Sequence, residues 1–113
     1  LGSDWVKREV PFSFTLPPQD VYLDWQKGED PVFVQGIIDL LIKDANGLVI
    51  IDYKTDQITD RFKNGFAEAK PILLKRYRTQ VALYRNAVAT IFNEPVTASY
   101  LYFFDGGHVL KVE

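Results

Sequence analysis

The sequence predicts an α/β domain in which one long helix lies on a mixed β-sheet. Three observations predict it. Apolar residues alternate early and late in the chain, a turn signal at Asp44-Ala45-Asn46-Gly47 joins two β-rich runs, and between residues 61 and 93 the apolar period changes from two to steps of three and four.

The first strand is expected from Arg8 to Leu16, where Val10, Phe12, Phe14 and Leu16 share one face and Glu9, Ser13 and Thr15 the other. Pro11 cannot donate to a ladder, so this strand is placed at an edge or a bulge. Pro17-Pro18 ends it, and residues 19–31 read as an irregular excursion that returns Val21, Leu23 and Trp25 to the core. Val32 to Lys43 and Leu48 to Lys54 form the hairpin. In the helical segment Leu73, Tyr77, Gln80, Val81, Tyr84, Val88 and Ile91 make one stripe, with Pro71 expected in the first turn and a shorter helix around 60–69 ahead of it. Thr97 to Phe104 is a further core strand, Gly106-Gly107 a turn, and His108 to Val112 the last strand.

The chain has 113 residues, enough for one domain, and 47% hydrophobic with 25% charged residues is the composition of an ordinary globular protein. No apolar run approaches the roughly 20 residues that span a bilayer, so no membrane partner is expected. Nor does the start have the form of a signal peptide, and without an initiator Met the chain is expected to be cut from something larger. With no cysteine, zinc-thiolate sites and iron–sulfur clusters are excluded, which fits a reducing compartment. The net charge of −2 hides an asymmetry. Residues 61–93 contain seven Lys or Arg and one acid, a net of +6, against −8 in the remainder. A basic segment beside an acidic one suits a protein that meets a polyanion and holds a cation.

Two carboxylates inside apolar strands demand an explanation, because a buried carboxylate costs several kcal/mol unless it is paired or metal-bound. Asp39 lies in Gly36-Ile37-Ile38-Asp39-Leu40 and Asp52 in Ile50-Ile51-Asp52-Tyr53-Lys54. A two-residue Asn46-Gly47 turn sets Asp39 opposite Lys54, whereas a four-residue loop over 44–47 sets Asp39 opposite Asp52. Either register places Asp39, Asp52 and Lys54 on one face, with the carboxylates about 5–8 Å apart. A three-residue loop needs a bulge to do the same. An oxygen-only pair suits Mg²⁺ or Mn²⁺ better than zinc, and a nearby lysine can orient a water or stabilise charge on a phosphate. The bland reading is a cross-strand Asp–Lys salt bridge with the other Asp at a strand end.

Gly36-Ile37-Ile38-Asp39, Asp52-Tyr53-Lys54-Thr55 and Gln80-Val81-Ala82-Leu83-Tyr84 resemble, in order, the G-x-x-D, D-Y-K-T and Q-x-x-x-Y motifs of the RecB-type branch of the PD-(D/E)XK nucleases. Arg8-Glu9-Val10-Pro11-Phe12 is similar to the first strand of the AddA-like domains of that branch, and the likeness runs from about Arg8 to Val112. It implies a restriction-endonuclease-like core and a Mg²⁺-dependent exonuclease domain, residues 1–113, belonging to a bacterial, cytoplasmic, ATP-dependent helicase-nuclease of DNA repair and recombination. The implied partners are unwound single-stranded DNA, the helicase domains of the same parent chain and an AddB-like subunit. The implied metal ligands are Asp39, Asp52 and the backbone carbonyl of Tyr53, with Glu9 at the edge of the site. Lys54 is the implied catalytic lysine, and Gln80 and Tyr84 flank the site and help place the strand. Lys75, Arg76, Arg78 and Arg85 are expected to supply phosphate contacts as a set.

The sequence also departs from the pattern. Related domains place a metal-ligating His on a helix ahead of the first strand, and nothing before Arg8 matches it. His108 is expected to be a surface strand residue rather than its substitute. The alternative is therefore a catalytically incomplete DNA-binding or subunit-docking module, with an RNA nuclease a third reading. No Walker A motif is present, so a motor would lie outside these residues.

Overall fold

The computed structural model describes residues 4–16 and 32–112. The excursion expected at 19–31 lies outside the described residues. Among the described residues five strands and one helix follow one another as β1 (Trp5–Leu16), β2 (Val32–Asp44), β3 (Gly47–Lys54), α1 (Phe66–Phe92), β4 (Val96–Phe103) and β5 (His108–Lys111). They form one sheet in the order β1-β2-β3-β4-β5. The β3–β4 pair is parallel and the other three are antiparallel, so the sheet is mixed. The 27-residue α1 makes the crossover that a parallel pair requires. Pro11 lies on edge strand β1, as its missing N–H demands.

The hairpin adopts the second of the two expected registers. Leu40 pairs with Ile51 and Asp44 with Gly47. Its turn is tighter than a four-residue loop, because Asp44 Oδ1 accepts from the N–H groups of Asn46 (2.8 Å) and Gly47 (3.1 Å). Gly47 has φ 143°, and a Cβ there would strike the Pro95 carbonyl oxygen, so the turn packs directly on the chain entering β4.

Helix α1 corrects two expectations. It is a single helix from Phe66, so the shorter helix expected around 60–69 is its first turn preceded by turns at 59–65. Pro71 is consequently its sixth residue, inside the helix rather than in the first turn. The missing N–H leaves the Ala67 carbonyl without a helical donor, but Ala67 is exposed and water can take that role. At the N-terminus Glu68 reaches back to the N–H of Asn64 (3.0 Å), one residue ahead of the N-cap Gly65, and places a favourable charge at the dipole's positive end. Asn93, left-handed at φ 54°, closes the other end. Ile91, expected in the buried stripe, is 46% exposed, and Ala87 and Phe92 pack inward in its place.

The core falls into two clusters under α1. Ile58, Ala69, Leu73, Val81, Leu101, Phe103, Leu110 and Val112 gather beneath its first half, β4 and β5. Ile38, Leu41, Leu48, Ile50, Val88 and Val96 gather beneath its second half, β2 and β3. Ile38 and Leu41 are three residues apart yet enter the same cluster, which strict alternation forbids. On β1 the same switch separates Trp5 from Val10 and Phe12. Between them Glu9 has φ 51°, and by the flanking pairs Arg8–Leu40 and Val10–Ile38 it stands opposite Asp39. Both strands thus change sides at Glu9 and Asp39.

Candidate metal centre and catalytic lysine

Asp39 sits where the sheet forks. The β2–β3 ladder ends at Leu40–Ile51, while β1–β2 pairing continues to Leu16–Val32 and β3–β4 pairing to Lys54–Phe103. Beyond the fork the two halves of the sheet go separate ways. The Asp39 carboxylate spans the gap, its Oδ2 accepting from the Tyr53 N–H at 2.8 Å. That N–H would otherwise face the fork without a ladder partner. Asp39 and Asp52 are the residues just beyond the last pair, Leu40–Ile51, and the Asp39 carboxyl lies close enough to Asp52 to raise its pKa.

Asp52 and Lys54 follow by alternation onto the face under α1. Their side chains are 15% and 13% exposed and lie 2.8 Å apart, Lys54 Nζ to Asp52 Oδ2. Lys54 Nζ also donates to Gln80 Oε1 at 2.9 Å and lies over the Tyr77 ring, 4.2 Å from its centre. Burial and the facing Asp39 push the Asp52 carboxyl up from 3.8 to about 6, against the opposing pull of Lys54. A buried carboxylate opposite a second one is a place where a cation relieves both desolvation and repulsion, and all the available donors are oxygens. Among the described residues no three His, Asp or Glu side chains gather in one cluster, so a cation here would complete its shell from backbone carbonyls and water.

The helix supplies the opposite wall. Tyr77, Gln80 and Tyr84 lie three and four residues apart, on one face of α1. Tyr77 packs on the first core cluster and Tyr84 on the second, so Gln80 meets Lys54 at the seam between them. Burial raises the Tyr84 hydroxyl above its usual value, and the Asp52 charge adds to that. Tyr84 reaches this position only because residue 36 has no side chain. A Cβ on Gly36 would stand 2.9 Å from Tyr84 Cζ and nearer still to its Oη, and Phe12 meets the same ring edge-on at 4.9 Å. The glycine of the first motif and the tyrosine of the last are therefore in contact.

The structure thus brings together five expected residues, Asp39, Asp52, Lys54, Gln80 and Tyr84. Tyr53 joins them through its backbone, its ring being 41% exposed. Glu9 stands across the ladder from Asp39 and is exposed. His108 is half-buried and stacks on Phe66 at 4.3 Å, in the turn region of β5.

The four expected phosphate-binding residues diverge. Lys75 and Arg78 are exposed. Arg85 turns inward and braces β4, donating to the buried Ser99 Oγ (3.0 Å) and the Val96 carbonyl (2.7 Å). Arg76 bonds Asp56 at 2.6 Å and lines an open groove of about 340 Å³ with Asp56, Gln57, Arg61 and Phe62. Two residues of this neighbourhood were not singled out from the sequence as parts of the site. Asp56 continues the alternation of Asp52 and Lys54, and Tyr77 stands one turn before Gln80; those spacings were the available signal.

Residues 2–111 match the family model of the PD-(D/E)XK nuclease superfamily. Curated relatives named as the A subunit of an ATP-dependent helicase/nuclease include one from Bacillus velezensis, 54% identical over 107 residues (95% of this chain), and one from Bacillus licheniformis, 50% identical over 110 residues (97%). A relative of the same name from Bacillus cereus is 46% identical over 114 residues and is matched by the whole chain. The chain spans 9% of the length of each of these relatives. Nucleases of the matched superfamily generally work with divalent metal ions, and the mixed five-stranded sheet with one long helix is consistent with its restriction-endonuclease-like fold. With the family model matched over residues 2–111, the chain belongs to the PD-(D/E)XK nuclease superfamily.

Proposed function

We propose that this chain is the nuclease domain of the A subunit of an ATP-dependent helicase-nuclease, and that it hydrolyses phosphodiester bonds of unwound single-stranded DNA with Mg²⁺. The observation that supports this most directly is the meeting of the Asp39 and Asp52 carboxyls at the fork, with Lys54 held beside Asp52. Asp39, Asp52 and the backbone carbonyl of Tyr53 would hold the ion. When bound, Mg²⁺ lowers the pKa of a water and neutralises phosphate charge.

The chain's own residues do the rest. Lys54 presents its ammonium at the edge of the carboxylate pair, where it positions the attacking water and stabilises charge developing on the phosphate. Gln80 holds that ammonium on the site side, and Tyr84 fills the wall between α1 and the sheet, where it packs on Phe12. Exposed Lys75 and Arg78, with Arg76 on the groove side, attract the phosphate backbone without reading sequence. In this reading residues 1–113 are one domain of a longer cytoplasmic protein, whose partners are helicase domains in the same parent chain and a second, AddB-like protein.

Asp52→Ala, made in the intact parent protein, tests the assignment. Mg²⁺-dependent cleavage of a single-stranded oligonucleotide should fall by at least about 10³-fold, the scale for loss of a ligand to a catalytic ion. Cleavage at the wild-type rate sinks the site. Titration with Mn²⁺ separates catalysis from the docking-module reading, since a nuclease centre binds the ion and loses it on Asp39→Asn, whereas a docking module does neither.

A further inference from the structure

We infer that Tyr77 is a positioning residue for Lys54, held in place by Asp56, so that the ammonium of the proposed catalytic lysine rests on an aromatic floor; this rests on the nuclease reading of the site. Three contacts fix the arrangement. The Tyr77 ring lies 4.2 Å below Lys54 Nζ. Its hydroxyl donates to the carboxylate of Asp56, at 2.7 and 2.9 Å from the two oxygens. Arg76, the adjacent helix residue, neutralises that same carboxylate at 2.6 Å.

Among the described residues the hydrogen-bonding partners of Lys54 are Asp52 and Gln80, which meet the ammonium from the sheet and from the helix. A lysine has a flexible four-carbon stem, and Asp52 is the group a metal ion would claim. Once Asp52 coordinates a cation, its attraction for the ammonium is weakened, and the contacts that remain are Gln80 and the ring. A ring face attracts a cation without competing for it by proton transfer, and the attraction strengthens when the site is shielded from water. Lys54 and Tyr77 are both half-buried or better, so this contact is shielded.

The ring cannot drift, because both of its ends are occupied. Its body packs on the first core cluster, 6.4 Å from the Phe103 centroid, and its hydroxyl is pinned by Asp56. Burial and the Asp56 charge push that hydroxyl up to about 12, so it remains a donor at working pH. Asp56 in turn lies two residues beyond Lys54, on the same strand direction. The segment that carries the lysine thus also carries the anchor of its floor.

Two variants in the intact parent protein test this. Tyr77→Phe keeps the ring but loses the Asp56 anchor, so it should lower kcat about two- to threefold, and a kcat equal to wild type overturns the anchoring by Asp56. Tyr77→Leu keeps apolar volume but removes the ring face, and should lower kcat on a single-stranded oligonucleotide by about tenfold, the scale of a shielded cation–π contact. Mn²⁺ affinity and KM should stay within about twofold for both, since neither change touches Asp39 or Asp52. A second readout is independent of turnover. In wild type and in Tyr77→Phe the Lys54 side-chain methylene proton signals should be shifted upfield by the ring, and in Tyr77→Leu they should return to the positions of the other lysines. A wild-type protein that does not cut sinks the nuclease reading. A wild type that cuts, with Tyr77→Leu equal to it in kcat or with no upfield shift to lose, overturns the positioning role alone.

Discussion

Gly36→Ala places a single methyl group against the wall of the site, and its effect can be worked from the structure. The new Cβ would stand 2.9 Å from Tyr84 Cζ, with the hydroxyl oxygen closer still and Phe12 Cε1 at 3.3 Å. Carbon atoms in contact settle at about 3.5–4.0 Å, so the tyrosine ring must retreat by roughly 0.6–1 Å. It cannot retreat freely, because Phe12 holds its edge and the second core cluster lies behind it. Overpacking of this kind costs about 1–3 kcal/mol. For a domain of this size about 2 kcal/mol corresponds to roughly 10 °C in Tm. The assay is thermal unfolding of wild type, Gly36→Ala, Tyr84→Ala and the double variant. Removing the ring should empty the space that the methyl needs, so Gly36→Ala should cost less than about 0.5 kcal/mol in the Tyr84→Ala background. Equal cost in both backgrounds refutes the contact between glycine and tyrosine as the reason for Gly36. No loss of Tm in the single variant refutes it as well.

Other consequences are equally direct. In the absence of divalent cations, Asp52 binds a proton more tightly folded (about 6) than unfolded (3.8), so its contribution to stability is full below about pH 4 and lost as pH rises through about 6. After allowance for solvent screening this is about 1–2 kcal/mol, and thermal unfolding against pH should show it in wild type and not in Asp52→Asn. Arg85→Met should destabilise by about 2 kcal/mol by stranding Ser99 Oγ and the Val96 carbonyl. It should leave the salt dependence of single-stranded DNA binding unchanged, whereas Lys75→Ala combined with Arg78→Ala should flatten that slope, as measured by fluorescence anisotropy. Asp105→Ala removes acceptors of the Ile58 and Thr59 N–H groups and of the Thr59 hydroxyl, so hydrogen exchange at residues 58 and 59 should accelerate while cleavage is retained.

The linear order of strand, hairpin, helix and two strands could be read from the chain alone, because periodicity and turn chemistry are local properties. That Asp39, Asp52 and Lys54 could share one face was also legible, since each admissible hairpin register keeps them there. Which register holds was not, and it depends on Asp44 accepting from two turn N–H groups, a contact that closes the loop at Ala45-Asn46. The reversal of faces at Glu9 and Asp39 escaped alternation altogether, because it arises where one strand pair continues and its neighbour separates. Equally invisible were the inward turn of Arg85 toward β4, the seat of Tyr84 on Gly36 and the Tyr77 floor under Lys54. A sequence specifies which face of its own helix or strand a residue occupies. What that face meets is decided by the crossing of α1 over the fork in the sheet, through contacts between residues up to dozens of positions apart.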